Sequence, residues 1–324
     1  MRAIVPQEPR GLYDMLRYHL GWVDEKGAPV EGASAGKALR PTLCFLTCEA
    51  LGAPCAHAAT AAATLELVHN FSLVHDDIQD GDKERRGRPT VWSLWGVGRG
   101  VWAGNAMRVV ADRALASGSP PMAQRKQAAL LLTRAYLEMI EGQYQDLEFE
   151  GRGEITTGEY LEMISRKTGA LILCAVELGA MAAEWDGRDG GALRLWGIHL
   201  GRAFQVRDDI LGIWGNPTVT GKPIGNDIRR KKKTFPVVLA YERAQGAAKH
   251  ALLEAYGSPE LSEAQVERVL DVLEELEVGT ASQALVERET EQALESLQRV
   301  GPLLFPWAHG QMVQLTEFLA HRDR

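Results

Sequence analysis

The stretch Leu65-Glu66-Leu67-Val68-His69-Asn70-Phe71-Ser72-Leu73-Val74-His75-Asp76-Asp77-Ile78-Gln79-Asp80 is apolar at three- and four-residue spacing and ends in acids. That spacing predicts one α-helix over residues 58–80, beginning near His57. Asp76 and Asp80 then share a helix face, with Asp77 about 100° round from Asp76. Carboxylates paired on one face at a helix C-terminus repel each other, and the helix dipole there favours cations. A hard divalent cation such as Mg²⁺ removes both objections, because it takes oxygen ligands and bridges to phosphates. A solvated acidic helix end is the plain alternative.

Arg85 and Arg86 follow, then Gly87-Arg88-Pro89-Thr90. Acids followed by paired arginines suit a metal–phosphate complex, the guanidiniums gripping oxygens bidentately, or else a surface salt-bridge network. The pattern returns about 130 residues later. Gln205-Val206-Arg207-Asp208-Asp209 ends another apolar helix, Gly221-Lys222-Pro223 follows, and Asp227-Ile228-Arg229-Arg230-Lys231-Lys232-Lys233-Thr234 carries five basic residues. Alone, that basic run reads as a solvated face or a nucleic-acid patch; behind two acids and a Gly-Lys it reads as part of a diphosphate site.

Residues 122–147, 156–183 and 262–298 also show helical periodicity, and no series of alternating β-branched residues supports a sheet. Breaks at Gly81–Pro89, Gly118–Pro121, Gly151–Gly158, Trp185–Gly191 and Gly215–Pro223 are too short for flexible interdomain linkers. We expect an all-α fold: one helical bundle of ten or more helices over residues 1–324, the two acidic runs walling a central cavity for a polyphosphorylated small molecule.

Of the 324 residues, 45% are apolar and 24% charged, which argues against disorder. Thirty-six Lys and Arg against 43 Asp and Glu leave a formal charge of −7, so a whole-surface nucleic-acid binder is disfavoured. Four cysteines do not make a disulfide scaffold. Cys44 and Cys48 could pair on a metal, but without a second pair they read as buried thiols. Residues 1–10 hold no apolar run of signal-peptide length, and the uncharged, mostly alanine stretch Leu51–Leu65 is too short to span a membrane. The expectation is a soluble, reduced, cytoplasmic protein without nucleic-acid partner or membrane insertion.

These motifs, in this order, resemble the trans-isoprenyl diphosphate synthases (polyprenyl synthetases) over roughly residues 30–300. Gly36-Lys37-Ala38-Leu39-Arg40-Pro41 is similar to the family's early basic motif, and residues 65–80 to its first aspartate-rich motif. Gly142-Gln143-Tyr144-Gln145-Asp146-Leu147 and Lys167-Thr168-Gly169 match the middle motifs; Phe204-Gln205-Val206-Arg207-Asp208-Asp209 matches the second aspartate-rich region. The resemblance implies head-to-tail condensation of isopentenyl diphosphate with an allylic diphosphate, about three Mg²⁺ per site, and a homodimer. It implies that Asp76, Asp80 and Asp208 ligate metal with Asp77 and Asp209 in support. Arg85, Lys167, Lys222 and Lys232 would contact the allylic diphosphate, with Thr168 and Gln205 near the developing cation. Lys37, Arg40, His69 and Arg86 would form a metal-free pocket for isopentenyl diphosphate. The departing diphosphate would take the proton, leaving His75 a supporting role.

Three positions depart from the family: Gly212 for the last Asp of the second motif, Asn105 for a usual Asp, and Ala38 for a usual basic residue. They imply fewer ligands, not a lost pocket. Phe71 and Ser72, five and four residues before Asp76, would set the floor of the product cavity, a large ring beside a small hydroxyl. That pair resembles geranylgeranyl (C20) synthases; a C15 or C25 product, or ordinary core packing of Phe71, stays open. A class I terpene cyclase and a non-catalytic partner subunit are the competing functions.

Overall fold

The computed structural model describes residues 1–8, 11–31, 36–117, 122–221 and 223–323, with side chains of 122, 123 and 220 left aside. Lys222 and the break at 118–121 lie outside the described residues. The helices run α1 Gly11–His19, α2 Leu39–Ala50, α3 Ala59–Gln79, α4 Val91–Trp95, α5 Val97–Ser117, α6 Met122–Gly151, α7 Thr157–Ile164, α8 Ala170–Ala182 and α9 Gly190–Trp214. They continue as α10 Pro217–Thr220, α11 Asn226–Arg229, α12 Phe235–Arg243, α13 Gly246–Gly257, α14 Glu263–Glu275, α15 Val278–Val300 and α16 Pro306–His321. The all-α expectation holds: among the described residues the only sheet is a two-residue hairpin, β1 Glu84–Arg85 with β2 Arg88–Pro89.

Packing sorts the chain into two compact units. The first comprises Met1–Tyr136 and Cys174–Asp186. In it α3 packs against α2 and α5, burying Leu43, Leu65, Leu67, Met107 and Leu132. Cys44 and Cys48 are buried free thiols, and burial pushes Cys44 up to about 12. A 3₁₀ turn, Cys55–Ala58, precedes α3, so the helix proper starts two residues past His57. It stops at Asp80 because Gly81 turns left-handed (φ 67°). Gly81 N–H then donates to Ile78 O and Asp82 N–H to Asp77 O, closing the last carbonyls in a Schellman pattern.

The second unit comprises Leu137–Leu173 and Gly187–Arg324. Its most extensive helix pair is α9 with α15, and buried Val206, Ile213, Val237, Leu252, Val269 and Val286 belong to its core. Two expected single runs are subdivided. Residues 262–298 break between α14 and α15, where Glu277 takes a left-handed φ of 51° while the apolar spacing continues across the turn. Residues 156–183 hold α7, a π-helical turn Ser165–Gly169, and α8. Capping boxes start α7 (Thr156 with Glu159) and α14 (Ser262 with Gln265).

Candidate active site

In the first unit, α3 presents Asp76 half-buried and leaves Asp80 exposed at its C-terminal cap, while Asp77 is buried. The hairpin explains Asp77. Its two-residue turn, Arg86-Gly87, has positive φ at both positions (54° and 71°), as a type I′ turn requires. That turn places Arg85 Nε 2.6 Å from Asp77 Oδ1. Burial still raises Asp77 to about 6 against the pull of Arg85, and its Oδ2 is buried with no hydrogen-bond partner among the described residues.

Arg85 and Arg86 also act on His69, with Arg40 and His19. Burial first, then these cations, hold His69 well below its ordinary value. His19 is held down to about 3 by burial and by Arg85, Arg86 and Arg88. The structure thus gathers His69, Arg40 and Arg86 of the expected isopentenyl diphosphate set around neutral imidazoles; Lys37 is exposed on the approach to α2. His19, Glu66 and Asn70 carried no sequence signal of their own. Asn70 Nδ2 donates to Glu66 Oε1 at 2.9 Å, both side chains being buried, and Asn70 also lies beside His19.

His75 Nε2 lies 3.2 Å from Val101 O, a tie between α3 and α5 that fits a supporting role. Phe71 is buried edge-on between His75 and Tyr136, with centroids 5.1 and 5.4 Å away. Ser72 Oγ donates to His69 O at 2.8 Å.

In the second unit, Asp209 is buried and faces inward from α9. It accepts from Tyr160 OH at 2.5 Å, Gln205 Nε2 at 3.0 Å and Phe235 N–H at 3.1 Å. Burial raises Asp209 to about 7 despite these three donors. Gln205 Oε1 in turn accepts from Thr168 Oγ1 at 2.6 Å, so Thr168, Gln205, Asp209 and Tyr160 form one chain of hydrogen bonds. Thr168 and Lys167 sit in the π-helical turn, a local widening common at functional sites. The turn fits because Gly142 has no side chain: a Cβ there would meet Lys167 N at 2.3 Å. Lys167 pairs with Asp146, the last charged residue of the same α6 motif.

Asp208 points elsewhere. Arg322, its side chain almost fully buried, reaches Asp208 Oδ1 at 2.5 Å and stacks 4.4 Å over the Phe204 ring. Arg207 holds the Arg322 carbonyl through Nε and Nη2 at 3.0 and 2.8 Å. Much of the basic run is structural: Arg229 forks onto Glu263, Lys231 bonds Ser258 O, and Lys233 bonds Phe149 O. Lys232 is half-buried between them. Tyr160, Asp146 and Arg322 were missed as partners because 49, 21 and 114 residues separate them from Asp209, Lys167 and Asp208.

Among the described residues no three His, Cys, Asp or Glu side chains converge as a metal cage. Mg²⁺ needs no such cage when it is bound through one or two carboxylates and completed by waters and substrate oxygens. The all-oxygen donors and Asp77 Oδ2, buried without a hydrogen-bond partner among the described residues, fit such an ion. No helix among the described residues is long and apolar enough to cross a membrane.

The polyprenyl synthetase family model matches residues 30–273. A (2E,6E)-farnesyl diphosphate synthase of Mycobacterium bovis is 39% identical over 290 residues, covering 89% of this chain and 80% of the relative. A geranylgeranyl diphosphate synthase of Mycobacterium tuberculosis is 40% identical over 288 residues, covering 88% and 81%. A solved polyprenyl synthetase of Streptomyces coelicolor A3(2) superposes with a TM-score of 0.90 at 36% identity, covering 99% of this chain and 95% of that one. Members of this family generally use Mg²⁺. Fold, motifs and relatives agree: the chain belongs to the polyprenyl synthetase family and is a short-chain trans-prenyl diphosphate synthase.

Proposed function

We propose that this enzyme uses Mg²⁺ to condense isopentenyl diphosphate head-to-tail with an allylic diphosphate, giving geranylgeranyl diphosphate (C20). The observation carrying this reading is the first unit's pairing of an oxygen-only acidic run with a pocket of guanidiniums around neutral imidazoles. Asp76, Asp80 and Asp208 would hold about three Mg²⁺, with Asp77 and Asp209 fixed behind them. Bound Mg²⁺ supplies charge for the leaving diphosphate.

The chain's own groups do the rest. Arg85, Lys167, Lys222 and Lys232 neutralise the allylic diphosphate as its bond to carbon breaks. Thr168 and Gln205, polarised through Asp209 and Tyr160, place oxygen dipoles beside the allylic cation. Lys37, Arg40, Arg86 and His69 hold the second diphosphate through cations and a neutral imidazole, so the attacking double bond is presented in a fixed direction. The released diphosphate accepts the proton lost on forming the new carbon–carbon bond.

The relatives' names include both farnesyl and geranylgeranyl synthases, so product length rests on Phe71 and Ser72. Incubation with Mg²⁺, isopentenyl diphosphate and each allylic primer in turn, read by mass, tests reaction and product together; a C15 end-product overturns the C20 reading. Phe71→Ala should lengthen the product, and an unchanged length removes Phe71 from the floor. A homodimer is part of this reading. Trp102 and Val109, 67% and 65% exposed and seven residues apart on α5, offer it apolar surface, and sedimentation at several concentrations tests it. A cytoplasmic setting suits the four free thiols.

A further inference from the structure

Two polar ties join the π-helical turn Ser165–Gly169 to α9, and they are in register. Thr168 Oγ1 donates to Gln205 Oε1 at 2.6 Å, and Arg202 Nε donates to Ser165 Oγ at 2.9 Å. Positions 165 and 168 on the turn thus meet positions 202 and 205 on α9, with the same spacing on each side. The backbones come this close because glycine faces glycine: a Cβ built on Gly201 would fall 3.0 Å from Gly169 Cα.

The Arg202 tie is anchored at both ends. Ser165 Oγ donates in turn to Leu161 O at 2.6 Å, in the last turn of α7, so the guanidinium is joined to the helix that leads into the π-helical turn. Arg202 Nη1 also lies 4.0 Å from Glu289 Oε1 on α15. Glu289 is buried, and its other oxygen is 2.8 Å from His199 Nδ1, one turn before Arg202 on α9. A π-helical turn inserts one residue into the α-helical ladder, so its collapse would rotate the residues within it by about 100°. Tied at Thr168 alone, the turn would keep a pivot; tied at 165 and 168, its direction is fixed.

We propose that Arg202 is a positioning residue for the allylic half of the reaction: through Ser165 it holds the π-helical turn in the register that presents Lys167 to the allylic diphosphate and Thr168 to the developing cation. The inference rests on the allylic roles given to Lys167 and Thr168 above. It goes beyond them in naming Arg202 and Ser165, which no motif of the sequence singled out. The purely structural alternative makes Arg202 a counter-ion for buried Glu289. That role gives Arg202 no reason to act on one substrate and not the other. It gives the Ser165 hydroxyl no part at all, since Glu289 keeps Arg202 and His199 whatever stands at 165.

The test is steady-state kinetics of the full-length protein with Mg²⁺, varying dimethylallyl diphosphate and isopentenyl diphosphate in turn. Ser165→Ala removes only the hydroxyl and keeps the Arg202–Glu289 pair. It should raise KM for the allylic diphosphate about five- to twenty-fold, the scale of one lost hydrogen bond, and leave KM for isopentenyl diphosphate within about two-fold. Arg202→Met keeps the apolar stem and should do the same; the two changes together should do no more than Arg202→Met alone. Ser165→Thr keeps a hydroxyl able to bond back four residues and should stay within about two-fold of the parent protein. Amide hydrogen exchange over residues 165–169 should quicken in Ser165→Ala and Arg202→Met alike. Lys167→Ala, a control for the allylic reading itself, should raise the allylic KM about twenty-fold or more, a charge-assisted contact being the stronger kind. If Lys167→Ala has that effect while Ser165→Ala leaves the allylic KM within two-fold, or raises both KM values equally, Arg202 serves packing only. If Ser165→Thr behaves as Ser165→Ala does, the hydroxyl is not the link and the inference falls. If Lys167→Ala changes neither KM, the allylic reading of this turn fails and the inference with it.

Discussion

Asp77 and Asp209 hold comparable places, each the second of two adjacent aspartates within the last two turns of a long helix, although α9 runs on to Trp214 instead of ending at Asp209 as its sequence suggested, and each turns into the protein interior. Asp77 meets a formal charge, the Arg85 guanidinium delivered by a tight hairpin eight residues on. Asp209 meets dipoles: a phenol, a side-chain amide and a backbone N–H. Burial raises both acids, Asp77 to about 6 and Asp209 to about 7. A guanidinium next to the first run also serves the neighbouring cationic pocket. The three donors to Asp209 carry no formal charge.

The comparison assumes that both runs share one task, and the most severe test is chemical. Asp76→Asn and Asp208→Asn should each lower kcat/KM about 10²- to 10³-fold, the scale of losing a fixed charge at a developing anion. Chelation of Mg²⁺ should abolish turnover in all variants. Steady-state kinetics showing less than a ten-fold loss at one run would mean that the two do different work.

Stability separates the two kinds of support. Arg85→Gln leaves Asp77 buried without its cation and should cost about 3–5 kcal/mol in urea unfolding. Adding Asp77→Asn should recover most of it, because the amide no longer needs a counter-charge. Tyr160→Phe removes one of three donors to Asp209 and should cost about 1–2 kcal/mol. A larger loss from Tyr160→Phe than from Arg85→Gln would reverse the distinction between charge and dipoles.

The smallest effect is on pH dependence, and it belongs to the first unit. His19 sits at about 3 in the fold against 6.5 when unperturbed, and His69 is depressed in the same direction. The unfolded chain therefore binds more protons at these two sites between those values, so the histidines' contribution to stability is full above about pH 6.5 and is lost as pH falls toward about 3. Asp77 and Asp209, raised to about 6 and about 7, act in the opposite sense over part of that range, so the histidine part is read by difference: His19→Asn should lose less melting temperature than the parent protein between pH 7.5 and 5. An identical slope in that variant would mean that His19 exchanges protons freely in the fold.

Much of this was legible before any coordinates. The 3.6 periodicity of 58–80 and 122–147 yielded real helices to within a few residues. It failed at Leu276–Glu277, since apolar spacing survives a single left-handed residue, and it missed the π-helical turn, which alters the phase of the ladder without altering composition. Gly81 and Gly87 were visible as breaks, and both turned out to be positive-φ positions. The basic run misled in part: three of its five charges tie loops and helices together.

Helix spacing is local geometry, so the sequence could say which acids share a face and that arginines follow them within a few residues. It could not say which donor each carboxylate would meet. Asp209 finds Tyr160 across 49 residues, and Asp208 finds Arg322 across 114. Those pairings depend on how helices pack to within an ångström, and buried polar groups need that accuracy because hydrogen bonds weaken steeply with distance and angle.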